Sequence, residues 1–185
     1  MAGISGKSPR HKCLWAILAA LAMCLAWPAK AEPEPLGDNV YLTALTVLFE
    51  ATGQPELGQR LVAHVVVNRA AGTPYYEAVV FARWQFYGWT RDRKTAFARC
   101  QIEQSGNPFC YDRMALEWLG SAPDARERWL DLLAMSLAVV NGAPEPRGFE
   151  GVTNFDSPRF WNGGEPPWAW AKEPLGCVAD HCFWR

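Results

Sequence analysis

A mainly α-helical domain behind a removable export segment is predicted by three observations. Apolar-rich stretches long enough for helices run over 39–51, 56–71 and 123–141. A basic start, a short apolar run and an Ala-x-Ala triplet precede the first of them. Beyond that triplet remain four cysteines, an even number. The 185 residues are about one domain with an appendage, and at 50% hydrophobic and 20% charged they can build a packed core rather than a disordered chain. With 18 Lys+Arg against 19 Asp+Glu, the chain lacks the basic excess of a nucleic-acid binder. Its ten tryptophans exceed what packing requires and need another explanation.

Residues 1–31 carry Lys7, Arg10, Lys12 and Lys30 and no acid. The apolar run Cys13 to Trp27 falls short of the ~20 residues of a membrane span. With Ala29-Lys30-Ala31 it reads as a signal peptide cleaved after Ala31, the alternative being an uncleaved anchor. Cleavage leaves 18 − 4 = 14 basic residues against 19 acids, a charge of −5. Residues 32–37, with two prolines, are a linker, and 38–185 the domain. Cys100, Cys110, Cys177 and Cys182 then sit in an oxidising compartment and read as two disulfides. Three pairings are possible, and short local loops favour Cys100–Cys110 with Cys177–Cys182. Cys177, His181 and Cys182 fit no common zinc spacing, so no metal is expected.

Asp38 is placed to cap a helix over 39–51 that is apolar on most faces and therefore central. Thr43, Thr46 and Glu50, three and four apart, form its polar stripe. Gly53 and Pro55 separate it from a helix over 56–71 with Leu57, Leu61, Val62, Val65 and Val66 as core residues. A short helix is predicted over 75–83, then a polar, disulfide-tied loop to about Cys110. Helices over 112–119 and 123–141 follow, the latter with Trp129, Leu132, Leu133, Ser136, Leu137 and Val140 facing inward and Gly142 as its stop. The Pro-, Gly- and Trp-rich remainder has no sustained period and reads as irregular structure.

Glu50 is the acid on the buried stripe. Its place in the last turn, at the negative end of the helix dipole, and its apolar neighbours Leu48 and Phe49 disfavour the charged form. A carboxylic acid still protonated near neutral pH suits general acid catalysis of glycoside cleavage. The competing reading is a structural glutamate paired with Arg60 or Arg69. A serine hydrolase triad has no support, since no Gly-x-Ser-x-Gly occurs and Ser136 lies inside a helix. His64, on the same helix face as Asn68, reads as a satisfied core or surface histidine, and the two histidines left after cleavage are too few for a zinc amidase.

Glu50-Ala51-Thr52-Gly53-Gln54-Pro55, then Gly58-Gln59, then Val65-Val66-Val67-Asn68-Arg69 resembles the opening motif of the SleB-like cell wall hydrolases. That motif runs E-A-R-G-E, a short gap, G-Q, and an apolar helix ending in N-R. Gln85-Phe86 resembles the family's Q-F element, Ala138 to Gly142 its glycine-ended helix, and Gly151 to Pro158 its G-A-x-x-[FY]-x-x-P segment. Pro167-Trp168-Ala169 and Gly176, His181 and Phe183 resemble its P-x-W and I-G-x-H-x-F ending. The matches span Tyr41 to Trp184 in the family's order. The resemblance implies a lysozyme-like helical fold related to lytic transglycosylases, acting on peptidoglycan at the N-acetylmuramic acid to N-acetylglucosamine linkage with Glu50 as catalytic acid. The matched positions Gln85, Phe86, Asn154, Phe155, Asp156 and Trp168 become the expected substrate-binding set. A monomer in the periplasm or cell envelope, needing no metal or organic cofactor, completes the expectation.

Two positions depart from the motif: Thr52 replaces its Arg and Gln54 its second Glu. They leave open a noncatalytic peptidoglycan-binding protein with a degenerate site. Asp156 offers a second carboxylate that could turn the reaction toward water. His181 is expected to be structural or to line the groove. Of the tryptophans, Trp118 and Trp129 read as core, while Trp84, Trp89, Trp161, Trp168 and Trp170 are candidates for a sugar-lined groove, because indole faces pack on the C–H faces of pyranose rings.

Overall fold

A computed structural model describes residues 36–71, 73, 75–82, 85–103, 108–157 and 164–185. The expected signal segment, Trp84 and Trp161 lie outside these residues. The described residues belong to one compact unit, Pro35–Arg185. They form six α-helices: α1 (Asp38–Ala51), α2 (Glu56–Ala70), α3 (Tyr76–Val80), α4 (Arg91–Glu103), α5 (Pro108–Leu119) and α6 (Ala125–Val140). A 3-10 turn at Ala169–Ala171 and strands β1 (Asn154–Asp156), β2 (Pro174–Val178) and β3 (His181–Trp184) follow. No described helix is long and apolar enough to cross a membrane. The fold is mainly helical, as its apolar patterning predicts.

α1 is central. Leu42, Ala44, Leu45, Val47 and Leu48 are fully buried, packed against α2 and α6, and each leucine or valine so buried contributes about 1.5–3 kcal/mol. Its buried hydroxyls are satisfied within the helix: Thr43 Oγ1 donates to Asn39 O and Thr46 Oγ1 to Leu42 O, both at 2.7 Å. Asp38 is the first helical residue rather than the cap, a place Gly37 takes. Its carboxylate instead accepts the Tyr111 hydroxyl at 2.8 Å, tying α1 to α5. Tyr111 stacks on Tyr41 with centroids 4.6 Å apart and contacts Phe97 at 5.1 Å, so an aromatic column joins α1, α4 and α5. On α6, Trp129 is buried and its Nε1 donates to Asp112 at 2.7 Å. Gly142 at φ 88° ends this helix with its N–H on Val139 O, a left-handed turn that glycine adopts without Cβ cost.

Several elements differ from expectation. The predicted loop after residue 90 is the 13-residue helix α4. Its Ala, Arg, Lys and Gln are good helix formers, no Gly or Pro interrupts it, and only Phe97 and Cys100 turn fully inward. So thin an apolar stripe reads as loop. α5 begins a turn earlier than expected, with Pro108 at its first position where a missing N–H costs nothing. α3 is shorter than 75–83, and Leu57 is 42% exposed rather than core. The C-terminal region is a three-stranded antiparallel sheet of order β1-β3-β2, with Asn154 opposite Trp184 and Cys177 opposite Cys182. Strands of three to five residues are too short to show a period, and β1 is joined to its partner over a long stretch of chain. Both disulfides, Cys100–Cys110 between α4 and α5 and Cys177–Cys182 across the β2–β3 hairpin, are formed.

α2 holds this sheet against the helices with polar clasps. Asn68 Nδ2 donates to Val152 O at 2.7 Å and to Glu145 at 2.5 Å, and Arg69 Nε donates to Thr153 O at 2.5 Å. At the other end of α2, Gln54 Oε1 accepts the Asp180 N–H at 3.2 Å, fixing the hairpin turn.

Candidate active site

The last turn of α1, the loop 85–90, the start of α4, the end of α5, β1, β3 and the Trp168–Ala171 segment enclose a groove of about 1010 Å³. Glu50 lies in it. The resemblance-derived positions Gln85, Asn154, Phe155, Asp156 and Trp168 also line it. Phe86 does not: it is buried beneath the groove, 6.0 Å from the Phe155 ring and 5.2 Å from the Arg69 guanidinium, and so supports the floor rather than facing a ligand.

The Glu50 carboxyl is pushed up to about 7, chiefly by burial and secondarily by the negative charge of Asp156; the Gly88 N–H and the Arg93 charge oppose the rise. Neither arginine of the competing reading pairs with it. Arg60 Nη2 donates to Pro144 O, and Arg69 is spent on Thr153 O and on the amide oxygen of Asn154, 3.0 Å from Nη2 once that amide is oriented to suit its neighbours. Burial without an acidic partner lowers Arg69 to about 10.

Two residues beside Glu50 were not singled out from the sequence. Gly88 N donates to Glu50 Oε1 at 2.5 Å. A Cβ on Gly88 would lie 2.6 Å from Phe49 Cβ and 2.9 Å from Glu50 Oε1, so only glycine lets the loop approach this closely. Arg93 Nη1 donates to Gly88 O, and its guanidinium lies 3.9 Å from the Trp118 centroid and 4.4 Å from that of Phe49. Gly88 follows the Gln85-Phe86 element by two residues, the one sequence signal that could have drawn notice. Arg93 sits on a helix that read as loop.

The tryptophans divide differently from expectation. Trp118, read as core, is 45% exposed and lines the groove. Trp89, read as a groove residue, is buried with its Nε1 bonded to Thr46 Oγ1 at 2.9 Å. Trp168 packs edge-on against buried Trp184 at 5.1 Å and Trp170 is 86% exposed, both on the groove wall. Tyr87 adds a further exposed ring. His181 lies in the wall as well, buried 5.1 Å from the Phe155 ring, and burial lowers its pKa. His64 is buried, but its Nε2 finds no partner among the described residues, contrary to the satisfied histidine expected.

The two departures from the motif do not line the groove. Thr52 Oγ1 donates back to Leu48 O, and Gln54 holds the hairpin turn.

No family model and no curated protein matches this chain. Among solved structures, the chain is similar to the crystal structure of the catalytic domain of the Bacillus cereus SleB protein, with 22% identity and a TM-score of 0.44 over 85% of this chain and 100% of that one.

Proposed function

We propose that the protein is a peptidoglycan-cleaving glycosidase of the lytic transglycosylase type, with Glu50 as its single general acid. The observation that carries this reading is a carboxyl group raised to about 7 inside an aromatic-walled groove. Such an acid holds its proton near neutrality and can give it up in a transition state. The motif resemblance of the sequence supplies the substrate class. Glu50 donates its proton to the oxygen linking C1 of N-acetylmuramic acid to O4 of N-acetylglucosamine. The C1–O4 bond breaks, the glucosamine leaves with the new O4 hydroxyl, and positive charge develops at C1. The 6-hydroxyl of the same muramic acid then bonds to C1 and returns its proton to the Glu50 carboxylate, leaving a 1,6-anhydro end. One carboxylate suffices, unlike the two of ordinary glycosidases.

Trp118, Trp168, Trp170 and Tyr87 offer ring faces to the sugars, Phe155 lines the floor above Phe86, and Gln85 and Asn154 offer hydrogen bonds. Asp156 raises the acid's pKa by its charge. Neither step calls for a metal or organic cofactor. The proposal includes export after cleavage behind Ala31 and residence of the 38–185 domain in the periplasm or cell envelope as a monomer, which suits two disulfides. Thr52 and Gln54 bond to Leu48 O and the Asp180 N–H outside the groove, which supports reading the departures as serving the scaffold.

Incubation of the purified protein with peptidoglycan sacculi tests the reading. Wild type releases soluble muropeptides, and Glu50→Gln, of nearly the same shape, releases them about 10²–10⁴-fold more slowly. Undiminished release by Glu50→Gln overturns the assignment, and retention on sacculi without release supports a binding protein instead. The mass of the released ends, lower by one water for the anhydro form, separates transglycosylase from hydrolase.

A further inference from the structure

Glu50 is held by Gly88, whose N–H and C=O belong to two successive peptide groups joined at its Cα and do different work. The Gly88 N–H donates to Glu50 Oε1 at 2.5 Å, while the carbonyl of the same residue accepts from Arg93 Nη1. The guanidinium cannot swing freely, because it is braced on the rings of Trp118 and Phe49, themselves 5.6 Å apart edge to face. Phe49 in turn meets buried Trp89 edge-on at 5.0 Å, and Trp89 is pinned by its indole N–H to Thr46, one turn before Glu50 on α1. The loop from Gly88 to Trp89 is thus fixed at both ends to the helix that carries the acid.

We propose that Arg93 is a positioning residue which, acting through the Gly88 backbone, sets the orientation of the Glu50 carboxyl and so determines which of its oxygens delivers the proton. The inference rests on the general-acid role proposed for Glu50. A backbone N–H can only donate, so in the neutral acid it takes the carbonyl-type oxygen, Oε1. The transferable proton then resides on Oε2. Arg93 bonded to Gly88 O fixes the peptide that follows Gly88, as the Trp89 indole bond to Thr46 does from its other side, and so limits how far the preceding peptide, whose N–H meets the carboxyl, can turn about the Gly88 Cα. A neutral residue at position 93 would leave the two peptide groups at Gly88 free to turn and the carboxyl free to rotate.

The titratable groups facing the groove around the Glu50 carboxyl come from several elements: the charged Arg93 on α4 and Asp156 on β1, and, elsewhere along the groove, Arg69 on α2, Tyr87 in the 85–90 loop and His181 on β3. Arg93 lowers and Asp156 raises the Glu50 pKa. Removing Arg93 therefore raises it, both through the lost charge and through a weaker Gly88 bond to the ionised form.

The test reads the Glu50 carboxyl by carbon-13 NMR titration of the intact protein without glycan, alongside kcat/KM against pH on sacculi. In Arg93→Gln the midpoint moves up by about one pH unit, and the alkaline limb of the pH profile moves with it. Arg93→Lys keeps the charge but lacks the planar fork and stacking. Its midpoint stays near wild type while kcat falls about tenfold, with KM little changed. Arg93→Met, which retains the stem packing, reads the same midpoint if Arg93→Gln is poorly folded. A folded Arg93→Gln or Arg93→Met protein with the wild-type midpoint overturns the inference, as does an Arg93→Lys protein with wild-type kcat. Because the titration needs no substrate, a wild-type protein that fails to cleave sacculi counts against the proposed function, whereas an unmoved midpoint in an active enzyme counts against the clamp.

Discussion

The helical half and the C-terminal sheet face one another across the groove and are held by different forces. α1 is locked by apolar contacts with α2 and α6 on nearly every side. The sheet joins the same core through Phe183, with Phe155, Leu175 and Val178 packed against it, but adds individual polar bonds from Gln54, Asn68 and Arg69 and a disulfide. Catalytic placement and groove shape therefore rest on different sets of contacts: the acid belongs to the central helix, and the wall opposite it carries the added polar bonds and the disulfide. The Asn68-Arg69 pair serves the second of these, since its side chains bind the backbone just before β1, while Arg69 also lines the groove.

The sharpest way to break the comparison is through two tryptophans. Trp89 lies in the helical core, and Trp89→Ala should cost about 3–5 kcal/mol, the range for truncating a buried aromatic, as read by denaturant unfolding. Trp170 is 86% exposed on the wall. Trp170→Ala should change stability by no more than about 0.5 kcal/mol while raising KM on sacculi. Equal stability losses at both positions would mean the wall is as much core as the helices.

A smaller effect separates the halves by pH. The Glu50 pKa rises from 4.5 to about 7 on folding, so its burial is without penalty below about pH 4.5, and stability is lost as pH climbs through about 7. With 1.36 kcal/mol per unit, the loss is of order 3 kcal/mol. Glu50→Gln should therefore unfold at higher denaturant than wild type at pH 8, and the gap should narrow markedly at pH 5. Activity runs the same way, declining above about pH 7 as the acid ionises. A stability gap that does not change with pH would remove Glu50 as the buried ionising group.

Replacing Cys177 and Cys182 together by Ala should cost about 2 kcal/mol for so short a loop and, in native-state hydrogen exchange, should free the β2–β3 amides while leaving those of α1 protected. Uniform loss of protection would show the two halves to be one cooperative unit. The smallest effect lies at the tip of the same hairpin, where Ala179 has φ 48°. Ala179→Gly relieves a left-handed alanine and should raise the unfolding free energy, read from the denaturant midpoint, by no more than about 1 kcal/mol, part of it offset by the freer unfolded chain. Destabilisation there would mean that the alanine side chain is itself part of the wall.

The sequence by itself determined α1 and its buried acid, because period and burial leave their mark within a few residues of one another. It also indicated the short-loop disulfides for the same reason. Helix α4 escaped it, since a stripe of two fully inward residues is indistinguishable locally from a polar loop. The division of the tryptophans escaped it too: Trp118 sits at helical spacing on an amphipathic helix, and only the groove beside Phe49 turns it outward. Gly88 and Arg93 reach Glu50 across 38 and 43 residues of chain. A helix can write its own buried face into the order of its residues. Which loop closes over its end, and which cation braces that loop, is written in contacts between distant segments, and only the tertiary structure decided them.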